Sequence, residues 1–283
     1  MKKAVTKAFA KINLSLDVLG KLENGYHEVQ MVMQTVSVFD LVTVETTESG
    51  ISLTTNLPFL PTDNGNIAYK AAEEFFNYTG IRGGVKIDIS KRIPVGAGLA
   101  GGSSNASAVL KTMNKLFNAG LSLKELCSIG VKLGADVPYC ILGGTRLAEG
   151  IGEKLSSLPK IPKCSVVLVK PAFSISTKAV YEKIDSCTDF RRPETKNLID
   201  GLHEGNLEKI VSSMGNVLEE VSITEHPILQ TAKNELIELG AIGAQMSGSG
   251  PTVFGIFKDY DLACEAKKQL WKKYKTVYIC NPV

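Results

Sequence analysis

None of the six cysteines, at positions 127, 140, 164, 187, 264 and 280, forms a C-x-x-C pair or has a histidine close by in sequence. Such spacing excludes a recognisable zinc site and a dithiol redox motif, and leaves reduced, mostly buried thiols as the expectation. Histidine is scarce as well, and His27, His203 and His226 are too few and too scattered for a metal cluster. No apolar run approaches the roughly 18 residues that a membrane-spanning helix requires. Met1-Lys2-Lys3 leads into a strand pattern rather than the core of a signal peptide, so a cytoplasmic protein with no membrane partner is expected. Charge of one sign is nearly absent in excess: a formal +3 over 283 residues carries no footprint for nucleic acid. There is no internal repeat or low-complexity tract. What remains, 44% hydrophobic and 22% charged, is the composition of a globular chain long enough for two moderate domains.

What the sequence does have is PVGAGLAGGSSNA at residues 94–106. After Pro94 and Val95, the glycines Gly96, Gly98, Gly101 and Gly102 let the backbone approach a ligand and turn N–H groups toward one anion, with Ala97, Leu99 and Ala100 between them. Ser103 and Ser104 then open a helix whose unpaired N–H groups and dipole attract negative charge. A cradle for nucleotide phosphates follows. A dinucleotide fingerprint is the tempting alternative, since Gly96, Gly98 and Gly101 spell G-x-G-x-x-G. However, the preceding strand VKIDIS alternates polar and apolar, and no strand-ending acid follows about 20 residues on. A Walker A loop needs lysine where Ser103 stands, and a flexible linker does not usually run into an amphipathic helix.

Along the chain, residues 7–19 alternate from Lys11 onward, with Ile12, Leu14, Leu16 and Val18 on one face and Lys11, Asn13, Ser15 and Asp17 on the other. Two residues along a strand span roughly 6 to 7 Å, which lets Lys11 and Asn13 reach neighbouring groups of one small polyol; a solvated strand face is the competing explanation. A turn over 20–25 precedes Tyr26 and His27, a pair able to stack on and hydrogen-bond a flat heterocycle, though such dipeptides are also ordinary surface residues. Separate strands are expected over 28–38, 41–45, 51–55 and 85–90. Helices are expected over 67–78 with Asn66 as N-cap, over 104–117, and from the capping box Ser122 to Glu125 until Gly134. Asp136 falls between that glycine and Pro138, at a rigid corner where its carboxylate can accept a hydroxyl proton or simply bond its own backbone.

Residues 143–163, rich in Gly, Pro, Ser and Lys, mark a boundary near 160 and give domains 1–160 and 161–283. Beyond it come a strand over 165–170, a short helix carrying Tyr181, helices over 197–221 and 227–239, two strands flanking SGSGP at 247–251, and a last helix and strand. That order suggests a split βαβ layer with inserted helices. SGSGP is either a plain glycine hairpin or a second glycine loop facing the first.

Three blocks in this order, KINLSLDV, PVGAGLAGGSSNA and SGSGPTVFGIF, resemble the GHMP kinases, the group of galactokinase, homoserine kinase, mevalonate kinase and phosphomevalonate kinase. The motifs A-K-I-N-L, G-Y-H, G-L-x-G-G-S-S-N and G-A-D-V-P resemble one branch in particular. The resemblance implies a two-domain α/β (α+β) fold, with an N-terminal domain like ribosomal protein S5 domain 2, a ferredoxin-like C-terminal domain and an active site between them. It implies ATP and Mg²⁺ as cofactors and a small-molecule cytidine diphosphate substrate. The 2-hydroxyl of 4-diphosphocytidyl-2-C-methyl-D-erythritol would be phosphorylated, a step of non-mevalonate isoprenoid synthesis. Lys11 and Asp136 match the family's catalytic pair, Asn13 a substrate contact, and Tyr26, His27 and Tyr181 the cytosine-binding group. Asn66, Lys91 and residues 94–104 match ATP contacts; Ala100 stands where many relatives have glycine or another small residue. For Mg²⁺ no ligand is assigned, and Ser104 is singled out only by its place at the end of the loop. A monomer or weak homodimer is expected. The alternatives are a homoserine- or mevalonate-type kinase and a non-catalytic nucleotide-binding sensor.

Overall fold

Strand β1 (Lys3–Lys21) buries both faces of its alternating segment, for Lys11 is 4% exposed and Asn13 and Ser15 are 0% exposed, like Ile12 and Leu14. The polar face is therefore not a solvated one. The computed structural model describes every residue except Asn24, Ser186, Thr188 and Asp189. Of the turn expected over 20–25, Asn24 lies outside the described residues; across it Gly25 N–H donates to Leu22 O at 2.9 Å. Where two strands were expected, a single β2 (His27–Thr47) runs through. Asp40 looks like a break in the pattern, yet its carboxylate is buried and fully hydrogen-bonded, so the strand continues across it.

The chain divides into two compact units, and β1 and β2 contribute a segment to each. The first comprises Met1–Ala10, Val38–Pro94 and Ala100–Gly143. It adds β3 (Gly50–Thr55), α1 (Ile67–Thr79), β4 (Gly84–Ser90), α2 (Gly101–Leu116), α3 (Leu123–Leu133) and α4 (Asp136–Leu142). Strands lie in the order β3-β4-β2-β1, with β4 parallel to β3 and antiparallel to β2. Val42, Val44, Ile87 and Ile89 from the sheet pack against Ala68, Ala71, Ala72 and Phe75 of α1 and Val109, Leu110 and Met113 of α2. The helix starts follow their caps. Asn66 Oδ1 accepts from Ala68 N–H at 3.0 Å, and the Ser122–Glu125 capping box is formed. Helix α2 begins at Gly101, three residues earlier than its serines suggested.

The second unit comprises Lys11–Ser37, Val95–Leu99 and Gly144–Val283. The glycine-rich connection expected over 143–163 contains a hairpin, β5 (Thr145–Glu149) and β6 (Lys154–Ser157), with β5 paired to Met31, Val32, Met33 and Gln34 of β2. There follow β7 (Ser165–Val169) and α5 (Thr177–Ile184). The long helix expected over 197–221 is α6 (Thr195–Glu204), α7 (Leu207–Ser212), the short β8 (Gly215–Asn216) and α8 (Leu218–Glu225). Gly205 ends α6 in the left-handed region at φ 64 and Asn206 caps α7, so two turn residues inside an apolar pattern overrode its periodicity. The unit closes with α9 (Ile228–Glu238), β9 (Gly243–Met246), β10 (Val253–Phe257), α10 (Tyr260–Tyr274) and β11 (Val277–Cys280). The sheet order β11-β7-β10-β9, antiparallel throughout, is that of a ferredoxin-like layer with helices inserted after its first strand. Among the described residues no helix is long and apolar enough to cross a membrane.

Candidate active site

In the second unit, the tip of the glycine loop is held by the turn between β9 and β10. Ala97 and Leu99 are buried anchors, while Val95 and Gly96 face outward. Gly98, at φ +72, passes so close to that turn that a Cβ on it would stand 2.1 Å from Ser247 O. Only glycine fits there. Ser247 Oγ donates to Gly98 O at 2.9 Å, and Lys11 N–H donates to Leu99 O at 3.2 Å. SGSGP is thus a hairpin connection and also a second glycine loop laid against the first. It is buttressed from below: Asn216 Nδ2 donates to Met246 O and Gly248 O, and Glu219, paired with Lys233 at 2.8 Å, accepts from Met246 N–H. Burial pushes the Glu219 carboxyl up from its ordinary pKa, against the pull of Lys233.

Lys11 and Asn13 sit beside this turn. Lys11 Nζ donates to Asn13 Oδ1 at 2.7 Å, and Gln245 Nε2 fixes the strand by donating to Asn13 O at 3.0 Å. The pair is buried, so its ammonium and amide are held rather than waving in solvent.

A third group gathers at the start of β2. The imidazole of His27 lies 5.0 Å from the ring of Tyr181 on α5, with 39° between their planes, and His27 Nε2 is 2.5 Å from Asp185 Oδ1. Lys21 Nζ donates to the other oxygen of Asp185 at 2.5 Å. Lys21 first and His27 second hold the Asp185 carboxyl below the usual aspartate range. Tyr26, next to His27, is 60% exposed. The sequence brings Tyr26, His27 and Tyr181 to notice; Asp185 it does not, because nothing local marks an aspartate just past a short helix.

In the first unit, the loop re-enters at Ala100, the residue before α2, which takes φ 55 although it carries a Cβ. Gly101, Gly102, Ser103 and Ser104 form the first turn of α2, and the Ser104 hydroxyl donates to Phe9 O at 2.6 Å. Asn66 spends its side chain on capping α1 and on Pro61 O, and Lys91 Nζ donates to Asp40 Oδ2 at 2.5 Å and Asn105 Oδ1 at 3.0 Å. Asp136 follows the Gly134 cap that ends α3 and is the first residue of α4, so helix resumes where Pro138 was expected to prevent it. Pro138 falls within the first turn, where the missing N–H would have had no intrahelical partner, so it does not stop the helix. Val137 and Ile141 plug α4 into the core. Lys111 of α2 donates to Cys140 O at 3.3 Å and Ile141 O at 3.2 Å at its far end, burial lowering the pKa of that ammonium.

A family model described as the GHMP kinases N terminal domain matches residues 66–144, the segment from the cap of α1 through the loop to the end of α4. A second, GHMP kinases C terminal, matches residues 198–276. The chain belongs to the GHMP kinase family. As a GHMP kinase it is an ATP-dependent enzyme with the two-domain fold of that family. It is 48% identical over 277 residues to the 4-diphosphocytidyl-2-C-methyl-D-erythritol kinase of Clostridium botulinum (strain Eklund 17B / Type B), covering 98% of this chain and 99% of that protein. With the protein of the same name from Alkaliphilus oremlandii (strain OhILAs) the identity is 51% over 281 residues, covering 99% and 96%. Among solved structures, a crystal structure of 4-(cytidine 5'-diphospho)-2C-methyl-D-erythritol kinase superposes with a TM-score of 0.84 at 31% identity over 99% of both chains. Homoserine kinase from Cytophaga hutchinsonii shares the fold, with a TM-score of 0.80 at 20% identity over 99% of this chain and 94% of that one.

Proposed function

We propose that this GHMP kinase transfers the γ-phosphoryl group of ATP to the 2-hydroxyl of 4-diphosphocytidyl-2-C-methyl-D-erythritol, in the non-mevalonate route to isoprenoids. The observation that carries the substrate is the meeting of His27 with Tyr181, 5.0 Å apart in space although the two stand in segments far apart in sequence. An imidazole beside a phenol ring, with Tyr26 exposed next to them, is a surface for one flat base, and stacking of this kind is worth about 1 to 3 kcal/mol per base. The near-full-length relatives of that name support the same reading.

Phosphoryl transfer asks for positioning and charge neutralisation more than for covalent chemistry. Residues 94–104 form the loop that holds the β- and γ-phosphates, with backbone N–H groups between Pro94 and Ser104 as donors and Asn66 and Lys91 at the adenosine end. Asp136 takes the proton of the acceptor hydroxyl as its oxygen bonds to the γ-phosphorus; the bond to the β–γ bridging oxygen breaks, and ADP leaves. A general base is worth roughly 10² to 10⁴ in rate. Lys11 steadies the negative charge that develops on the transferred group, while Asn13 orients the polyol. Ser104 is the protein oxygen proposed for Mg²⁺, for its hydrogen is committed to Phe9 O and its lone pairs suit a hard cation. When bound, Mg²⁺ neutralises charge on the β- and γ-phosphate oxygens. The proposed setting is the cytoplasm, with the protein a monomer or weak homodimer that engages no nucleic acid; the passage from one family domain to the other is proposed near residue 160.

The test is ADP release from Mg-ATP with the diphosphocytidyl substrate, set against homoserine and mevalonate. Release with one of the latter and none with the former moves the chain to another branch of the family. Asp136→Ala lowers kcat at least about 10²-fold with ATP binding retained; unchanged turnover removes Asp136 from the mechanism.

A further inference from the structure

Asp40 is a 0% exposed carboxylate in the middle of β2, and the catalytic reading gives it no role. Its Oδ1 accepts from Arg92 N–H at 2.6 Å and Ile93 N–H at 2.8 Å, and its Oδ2 accepts from Lys91 Nζ at 2.5 Å and Asn105 Nδ2 at 2.8 Å. Lys91 Nζ closes the ring by donating to Asn105 Oδ1 at 3.0 Å. These partners lie on both sides of the glycine loop. Residues 91–93 lead into it from β4, and Asn105 stands in α2 directly after Ser104. One buried carboxylate therefore ties the two ends of the loop together, and a Cβ on Gly101, the first residue of α2, would come within 3.1 Å of Lys91 Nζ. Burying a charge is costly unless it is paired and hydrogen-bonded, and a simple apolar plug would fill the same space at no such cost. What the charged group adds is direction: four donors converge on two oxygens, which fixes the strand end and the helix start relative to each other.

We propose that Asp40, with Lys91 and Asn105, is a positioning group that closes the neck of the phosphate loop and thereby sets the affinity for ATP. The idea rests on the reading that residues 94–104 bind the triphosphate. Asp40 itself touches no substrate in this account. Its carboxylate is effective because it is rigid, and a loop free to open at its neck would have to be ordered by the nucleotide on binding, at a cost in affinity.

The experiment measures dissociation constants for a non-hydrolysable ATP analogue, together with kcat and both KM values, in Asp40→Asn, Asn105→Ala and the loop variant Gly96→Val. Asp40→Asn keeps an acceptor for the two backbone N–H groups but turns an amide toward Lys91. Asn105→Ala opens only the helix side and leaves the ion pair intact, so it reports on the neck should Asp40→Asn fail to fold. The expected result is a rise of at least about 10-fold in the analogue dissociation constant and in KM for ATP for both, with KM for the alcohol substrate within about 2-fold of wild type. A purely structural role predicts the reverse, a lower melting temperature with ATP affinity unchanged well below it, and that outcome overturns the proposal. If Gly96→Val weakens the analogue and the two neck variants do not, the clasp falls while the loop assignment stands; if none of the three alters binding, both fall.

Discussion

Gly98→Ala adds one methyl group where the structure has no room for it. The new Cβ would lie 2.1 Å from Ser247 O and 3.1 Å from Gly250 O, and since real contacts of this kind hold at 3.0 Å or more, a gap of at least about 0.9 Å (3.0 minus 2.1) must open. The backbone at φ +72 is also unfavourable for any L-residue, by about 1 to 2 kcal/mol. Overpacking adds about 1 to 3 kcal/mol, so stability falls by about 2 to 5 kcal/mol. At roughly 2 to 4 °C per kcal/mol for a chain of this size, the melting temperature drops by about 10 °C. Displacing the loop by about 1 Å costs on the order of 10²-fold in kcat/KM. The control is Gly102→Ala, whose Cβ meets nothing nearer than Ile67 Cγ2 at 3.4 Å and which lies within α2. There the change raises stability by about 0.5 to 1 kcal/mol, the usual advantage of alanine over glycine in a helix. Differential scanning calorimetry and steady-state ADP release read both variants. A Gly98→Ala protein that melts within about 2 °C of wild type and retains full kcat/KM would refute the close approach of the loop to SGSGP.

Ala100 carries a Cβ in the left-handed region at φ 55, so Ala100→Gly relieves about 1 to 2 kcal/mol of strain and gives back about 0.4 to 1 in unfolded-chain entropy. A small rise in melting temperature is expected, and a fall would contradict the strain. Tyr26→Ala removes one stacking face and raises KM for the cytidyl substrate about 5- to 150-fold, the equivalent of about 1 to 3 kcal/mol, with KM for ATP unmoved; an equal effect on both removes Tyr26 from base recognition. The Asp185 carboxyl titrates below the ordinary aspartate range, and Lys21→Met shifts it back upward in an NMR titration, because Lys21 is the larger of its two supports. Since the folded value is the depressed one, the stabilisation this carboxylate provides is present above the ordinary range and fades as pH falls through the folded value.

The sequence showed the parts whose signal is local. Asn66 and Ser122 cap helices where they were expected to, the strand-helix order after residue 165 matches a ferredoxin-like layer, and alternation from Lys11 to Val18 placed Lys11 and Asn13 on one face. What it hid depends on partners far along the chain. Asp40 looks like a strand breaker until Lys91, Arg92, Ile93 and Asn105 are seen around it. Pro138 looks like a helix stop, whereas its position in a first turn depends on where α4 begins. Asp185 acquires a role only through His27 and Lys21, more than 150 residues earlier. One signal for Asp40 is local: an acid flanked on both sides by apolar residues within a strand must find several donors, and the lysine and asparagine on either side of the glycine loop are such donors.

The bond from Ser247 to Gly98 joins residues 149 positions apart. A ribosome adding about 5 to 20 residues per second needs roughly 7 to 30 s to cover that distance. Throughout that interval the nascent chain displays a glycine segment without the turn that shapes it. If residues 94–104 hold the triphosphate as proposed, a chain terminated before residue 247 keeps the glycine segment but lacks the turn that orders its tip.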